Sequence, residues 1–179
     1  MTQERTAEIK FELLTVDATE ACGAIFAAVM FRPLLLTLSG DLGAGKTTFT
    51  RGFLRARGYG GAVKSPTFTL VESYDYRELN LLDERQAGKN QPGGLHHFDL
   101  YRIAEPAELD FIGFEEYLAD NFDVLVEWPE NGADRLTMVD FAVRLTHCDQ
   151  HREAHVEALS PEAEKWLFEQ ENNNKFIGL

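Results

Sequence analysis

Apolar residues fall along this chain in short runs, separated by glycine, proline and polar turns. The densest early run, Leu34-Leu35-Leu36-Thr37-Leu38, lies between Pro33 and Ser39-Gly40 and reads as a buried parallel strand. Ahead of it, Phe11–Leu14 is expected to form an edge strand. A helix should follow Asp17, which with Glu20 has capping-box spacing. Ala18, Ala21, Cys22, Ile25 and Val29 are the expected apolar face of that helix. Behind the run, Phe49 and Phe53 stand four apart, as on a helix that stops near Arg57-Gly58.

Further on, Phe68–Tyr74 alternates as a strand does, and Leu95–Tyr101 repeats the pattern. The two suggest a hairpin joined by a long polar segment, 75–94, read as an inserted loop that is mobile or binds something. Leu109, Ile112, Phe114, Tyr117 and Leu118 supply the apolar side of a helical stretch broken at Gly113. Phe122–Val126 is a short strand that delivers Glu127 at its C-terminal end, and Trp128–Gly132 is a turn. Residues 138–146 and 152–159 predict a closing hairpin. Pro161 then opens a helix with Ala163, Trp166, Leu167 and Gln170 on one face. The ends, 1–8 and 171–179, are expected to be flexible or frayed. The fold class expected is α/β: one P-loop NTPase-like domain over 1–179, with a central mixed, mostly parallel sheet flanked by helices.

Composition narrows the function. Acidic residues number 30 against 17 basic ones, for a net charge of −13. Such a surface repels phosphate backbones, so any nucleic acid in the pathway should be held by another subunit. No apolar run approaches a membrane span, and the polar start lacks a signal-peptide core. Cys22 and Cys148 are too few and too isolated for a disulfide framework or a zinc site. These features together suggest a cytoplasmic protein.

The chemistry begins at Gly40-Asp41-Leu42-Gly43-Ala44-Gly45-Lys46-Thr47, which fits G-x-x-x-x-G-K-S/T between a strand and a helix. Glycines let the backbone amides turn inward, and the helix N-terminus adds unpaired donors and its dipole. Lys46 is placed to reach β- and γ-phosphates, and Thr47 to offer its hydroxyl to Mg²⁺. Hydrolysis needs an acid near the metal and a group that orients water. Glu127 ends an apolar strand, where ligands bind in open α/β sheets, and Asp99 follows Leu95-His96-His97-Phe98. Either is suited to the metal and the other to the water. Ser65 and Thr67 flank Pro66 where a γ-phosphate-sensing segment often lies. His96 and His97 are adjacent on a strand, so only one faces the site, and structural roles are favoured for them. Trp128 reads as packing or as a stacking wall near the nucleotide. Asp110-Phe111-Ile112-Gly113 imitates a GTPase switch but lies in a helical stretch, and Asn172-Asn173-Asn174-Lys175 lacks the Asp of a guanine reader. ATP is therefore the expected nucleotide.

Four segments in order, Gly40–Phe49, Ser65–Leu70, His97–Arg102 and Val126–Glu130, resemble the motifs of the TsaE (formerly YjeE) family. That family is the ATPase component of bacterial tRNA threonylcarbamoyladenosine synthesis. The resemblance covers roughly residues 10–145. It implies ATP and Mg²⁺ as cofactors, TsaD- and TsaB-like partners, contact with tRNA only through that complex, and no membrane. It implies phosphate and metal contacts by Lys46 and Thr47, a metal-shell role for Glu127, a need for Asp99 in hydrolysis, and a switch-like segment containing Thr67. The nucleotide contacts expected are thus Asp41, Leu42, Gly43, Ala44, Gly45, Lys46, Thr47, Thr48, Thr67 and Trp128. Lys46, Asp99 and Glu127 are the expected catalytic groups, and Thr47, Glu127 and Asp99 the expected metal contacts. Two alternatives stand beside this reading. One is a small-molecule kinase with a lid built on Arg77 and Arg85. The other is a module that binds ATP to gate an interaction without hydrolysing it.

Overall fold

A computed structural model describes residues 7–29, 33–77 and 92–172. The expectations for residues 1–6, for Arg85 and the rest of 78–91, and for 173–179 lie outside the described residues. The order of elements is β1 (Glu8–Leu13), α1 (Val16–Phe26), β2 (Leu35–Ser39), α2 (Lys46–Ala56), β3 (Val71–Asp75), β4 (Gly94–Asp99), α3 (Glu108–Phe111), α4 (Phe114–Ala119), β5 (Asp123–Glu127), a 3₁₀ turn (Pro129–Arg135), β6 (Phe141–Cys148), β7 (His151–Ala158) and α5 (Pro161–Asn172).

The strands form one seven-stranded sheet in the order β1-β7-β6-β2-β5-β4-β3. Its centre, β6-β2-β5-β4, is parallel, and antiparallel pairings close both sides. The two central strands are buried on both faces, which is why their segments are continuous apolar runs. Phe26, Phe49, Phe53, Leu36, Leu38, Leu125 and Phe141 build the core between the sheet and α1, α2 and α5. Leu35, Phe98, Val124, Val126, Leu109 and Phe114 build a second core under α3 and α4. Burying one such Phe or Leu contributes about 1.5–3 kcal/mol.

Three expectations shift. The cap of α1 is Thr15, whose hydroxyl accepts from the Ala18 amide at 3.0 Å, and Asp17 instead lies in the first turn. The buried stripe of α1 is Thr19, Cys22, Gly23 and Phe26, while Ala21 is exposed. A helix tolerates glycine on its buried face when a second backbone must come close. Phe68 lies in a turn and is exposed, because the Leu70 amide bonds back to the Pro66 carbonyl at 2.7 Å and β3 starts only at Val71.

Buried polar ties connect the C-terminal end of α2, away from the phosphate loop, to the sheet. Arg57, just past α2, meets the Asp123 carboxylate at 3.2 Å, and the other oxygen of Asp123 accepts from the Leu34 amide at 2.9 Å. Burial pushes the Asp123 carboxyl up to about 6, against the opposite pull of Arg57 and the Leu34 amide. One residue therefore orients the starts of both β2 and β5, the strands that end at the phosphate loop and at Glu127.

Candidate nucleotide-binding site

The loop from β2 to α2 has the backbone its glycines permit, with φ of 132° at Gly40, 81° at Gly43 and 111° at Gly45. At Gly43 a Cβ would meet nothing within 4 Å, so backbone conformation alone calls for glycine there. Gly45 caps α2 and has no side chain to satisfy the helix's first amides. Those donors, with the positive end of the dipole, are left for an anion.

The Lys46 ammonium lies across this loop. It donates to the carbonyls of Gly40 at 2.6 Å and Asp41 at 2.9 Å, and sits 4.0 Å above the centre of the Trp128 ring. Burial pushes it below the usual lysine range, while Glu127, Asp99, Glu130 and Asp41 pull it back up. Trp128 is held at φ 58° just after β5, and its amide bonds the Leu38 carbonyl at 3.1 Å. Tyr101 packs on it with ring centres 5.0 Å apart.

The two acids arrive on neighbouring parallel strands. Asp99 and Glu127 are register partners at the C-terminal ends of β4 and β5, so their side chains share one face. That face is the one covered by α2. Glu127 Oε1 accepts from the Thr47 hydroxyl at 2.8 Å and is 2.8 Å from His97 Nε2. Asp99 Oδ2 accepts from Thr67 at 2.6 Å and from Ser65, and Asp99 Oδ1 accepts from the Tyr101 amide at 3.0 Å. Ser65 and Thr67 also bond each other at 2.5 Å. The loop after α2 is thereby latched onto Asp99.

A cavity of about 250 Å³ runs between these groups, lined by Leu42, Gly43, Gly45, Lys46, Thr47, Thr48, Ser65, Thr67, Asp99, Tyr101, Glu127 and Trp128. The donor set suits a triphosphate with a hard cation: amides and an ammonium for the phosphates, a hydroxyl and carboxylates for Mg²⁺. Of the expected contacts, Asp41 and Ala44 do not line this cavity. Ala44 is buried beneath the loop and its amide bonds the Asp41 carbonyl at 3.1 Å. Asp41 lines a neighbouring recess with Glu130 and Arg144.

Several placements were not readable from spacing. His96 faces away, beside Ser73, Phe122 and Tyr117, whereas His97 is fully buried behind Glu127. Tyr101 joins the cavity wall. Arg152 comes from β7, and its Nε lies 3.5 Å from where a Cβ on Gly45 would sit. That Nε is buried without a hydrogen-bond partner among the described residues. Only the sheet order reveals this neighbour. Asp110 lies in α3, paired with Arg135 at 2.7 Å, away from the cavity. Arg77 follows the end of β3 that pairs with Gly94, opposite the end that carries Asp99. Among the described residues no arginine lines the cavity: Arg51 and Arg55 hold Glu20, and Arg102 stacks on Phe68.

Comparison with known proteins agrees with this geometry. Residues 13–156 match the family model described as threonylcarbamoyl adenosine biosynthesis protein TsaE. The chain is similar to the tRNA threonylcarbamoyladenosine biosynthesis protein TsaE of Haemophilus influenzae, 41% identical over 135 residues, covering 73% of this chain and 77% of that protein. It is similar to the TsaE of Bacillus subtilis, 36% identical over 121 residues, covering 68% and 66%. The crystal structure of Bacillus subtilis YdiB superposes with a TM-score of 0.72 at 26% identity, over 97% of this chain and 99% of that one. A phosphate loop, two acids in register beside it and a match across most of the chain lead to one assignment: the chain belongs to the TsaE family of threonylcarbamoyladenosine biosynthesis proteins.

Proposed function

We propose that this chain is an Mg²⁺-dependent ATP-binding and ATP-hydrolysing subunit that serves tRNA threonylcarbamoyladenosine formation together with TsaD- and TsaB-type partners. The observation that carries the reading is the in-register placement of Asp99 and Glu127 against the phosphate loop, with Thr47 bonded to Glu127. Lys46 and the amides at the start of α2 bind the phosphates. Thr47 and Glu127 would hold the metal, which would supply positive charge to stabilise the transferring phosphoryl group. Asp99 orients the attacking water, and its bonds to Ser65 and Thr67 couple the terminal phosphate to the loop after α2. That loop carries the exposed Phe68, which makes it a route by which the nucleotide state reaches a partner.

With no arginine in the cavity wall among the described residues, turnover by the chain alone should be slow; a trans-acting arginine is worth about 10³–10⁵ in rate. Phosphate release from MgATP should therefore be weak for the lone chain and rise on addition of the TsaD/TsaB pair. The Asp99→Ala variant should keep MgATP affinity within a few-fold and lose turnover. Wild-type protein that binds no MgATP, or an Asp99→Ala variant with normal turnover in the complex, would refute the reading. His97 acts through Glu127, fixing Oε1. Its replacement, His97→Leu, should raise the Mg²⁺ concentration needed for half-maximal turnover by about 10–100-fold, the usual cost of losing a partner of a metal ligand. His97→Gln, with an amide that can donate to Oε1, should recover part of it. A Mg²⁺ titration of each variant checks this.

A further inference from the structure

We propose that the outer face of the β6–β7 hairpin binds a thiophilic divalent ion of the zinc class through Cys148, His151 and Glu153. Considered alone, Cys148 looked too isolated for a metal. The fold changes its company: Cys148 and His151 are cross-strand partners on either side of the two-residue turn Asp149-Gln150. Partners in an antiparallel pair share a face, and Glu153, two residues after His151, shares it too. One ligand atom from each of the three lies within 4.8 Å of the others.

The spacing leaves room for an ion once the three side chains close by up to about 1 Å. His151 Nε2 is 3.7 Å from Glu153 Oε1 and 3.9 Å from Glu12 Oε1 on β1, too far for good hydrogen bonds. Tetrahedral zinc, with ligands at about 2.0–2.3 Å, sets its ligand atoms about 3.3–3.7 Å apart. The contrast is His155, further along the same face, which already bonds Glu8 at 2.8 Å and has no thiol opposite it, Arg144 being its partner on β6. A sulfur, an imidazole and a carboxylate select zinc-like ions over Mg²⁺ or Ca²⁺. Glu12, the register partner of Glu153, can complete the set and would fasten the edge strand β1 to the hairpin. The site is separate from the nucleotide cavity and does not depend on the function proposed above.

The test uses the full chain, reduced and stripped of metal, titrated with Co²⁺ and then Zn²⁺. One equivalent of Co²⁺ should produce a thiolate-to-cobalt charge-transfer band, which Zn²⁺ removes. Cys148→Ser should abolish the band, and His151→Ala should weaken Zn²⁺ binding at least tenfold. Cys22→Ala and His155→Ala should change neither. Absence of the band in wild-type protein, its persistence in Cys148→Ser, or equal losses in His155→Ala and His151→Ala would overturn the proposal.

Discussion

The Glu127→Gln variant is expected to lower Mg²⁺-dependent ATP turnover by about 10²–10³-fold while leaving the fold unchanged, since removing one preorganised electrostatic group from a site typically costs that much. The change is nearly isosteric. Glu127 Oε1 is the acceptor for Thr47, with His97 at the same distance, and an amide oxygen in its place can accept both bonds. The loss falls on the other oxygen, where an NH₂ group would meet the metal shell with the wrong polarity. In the proposed site, nucleotide binding without Mg²⁺ would rest on the loop amides and Lys46, so it should stay within about twofold. Thermal unfolding, a fluorescent-nucleotide titration with and without Mg²⁺, and phosphate release by the complex would together check this. Turnover within threefold of wild type would remove Glu127 from the metal site and with it the central part of the proposed function.

How far the sequence could be read depended on whether a feature is local. The run Leu34–Leu38, the glycine pattern at 40–45, the Phe49/Phe53 spacing and the Ser160-Pro161 start each carry their reason within a few residues, and the structure has the corresponding elements. Gly113 breaks the helical stretch with a φ of 67°, as its place in the pattern suggested. Glu127 was legible as a strand end, whereas the strand expected over Leu95–Tyr101 stops at Asp99. That Asp99 and Glu127 are register partners was not legible, because 28 positions along the chain separate the two residues and the adjacency of their strands is a property of the sheet order. Arg152 beside Gly45 and the meeting of Cys148, His151 and Glu153 were hidden for the same reason. The face of α1 was misread on different grounds. Cys22 and Val29 are buried and Ala18 and Ile25 pack against the core, but Ala21 scores as core in a periodic count and is exposed, and Gly23 scores as nothing. The buried stripe nevertheless runs through Gly23, because what it meets is another backbone.

That meeting of backbones sets the largest expected effect on stability. A Cβ on Gly52 of α2 would lie 1.9 Å from the Glu20 carbonyl oxygen of α1 and 2.5 Å from its carbon. A Cβ on Gly23 of α1 would lie 2.0 Å from the Phe49 carbonyl oxygen of α2. The two helices thus touch through a glycine from each side, and the obstructing atoms are main chain, which cannot swing away as a side-chain tip can. Glu20 adds a polar lock at the same crossing, with its carboxylate on Arg51 at 2.7 Å and on Arg55. Alanine inside a helix gains up to about 1 kcal/mol of propensity over glycine. Overpacking a tight contact costs typically about 1–3 kcal/mol, and an obstruction by helix backbone belongs at or beyond the upper end. Gly52→Ala should therefore destabilise the protein by about 2–3 kcal/mol net, seen as a lower urea midpoint with an unchanged slope. Gly60→Ala, where a Cβ would meet nothing within 4 Å, should stay within about 0.5 kcal/mol of wild type. Because α2 begins at Lys46, pushing the helices apart also displaces the C-terminal end of the phosphate loop. Gly52→Ala should thus weaken nucleotide binding under conditions where the chain is still folded. A urea midpoint for Gly52→Ala equal to that of Gly60→Ala would mean that the helices do not depend on glycine to approach, and that the position of the phosphate loop is set from the sheet alone.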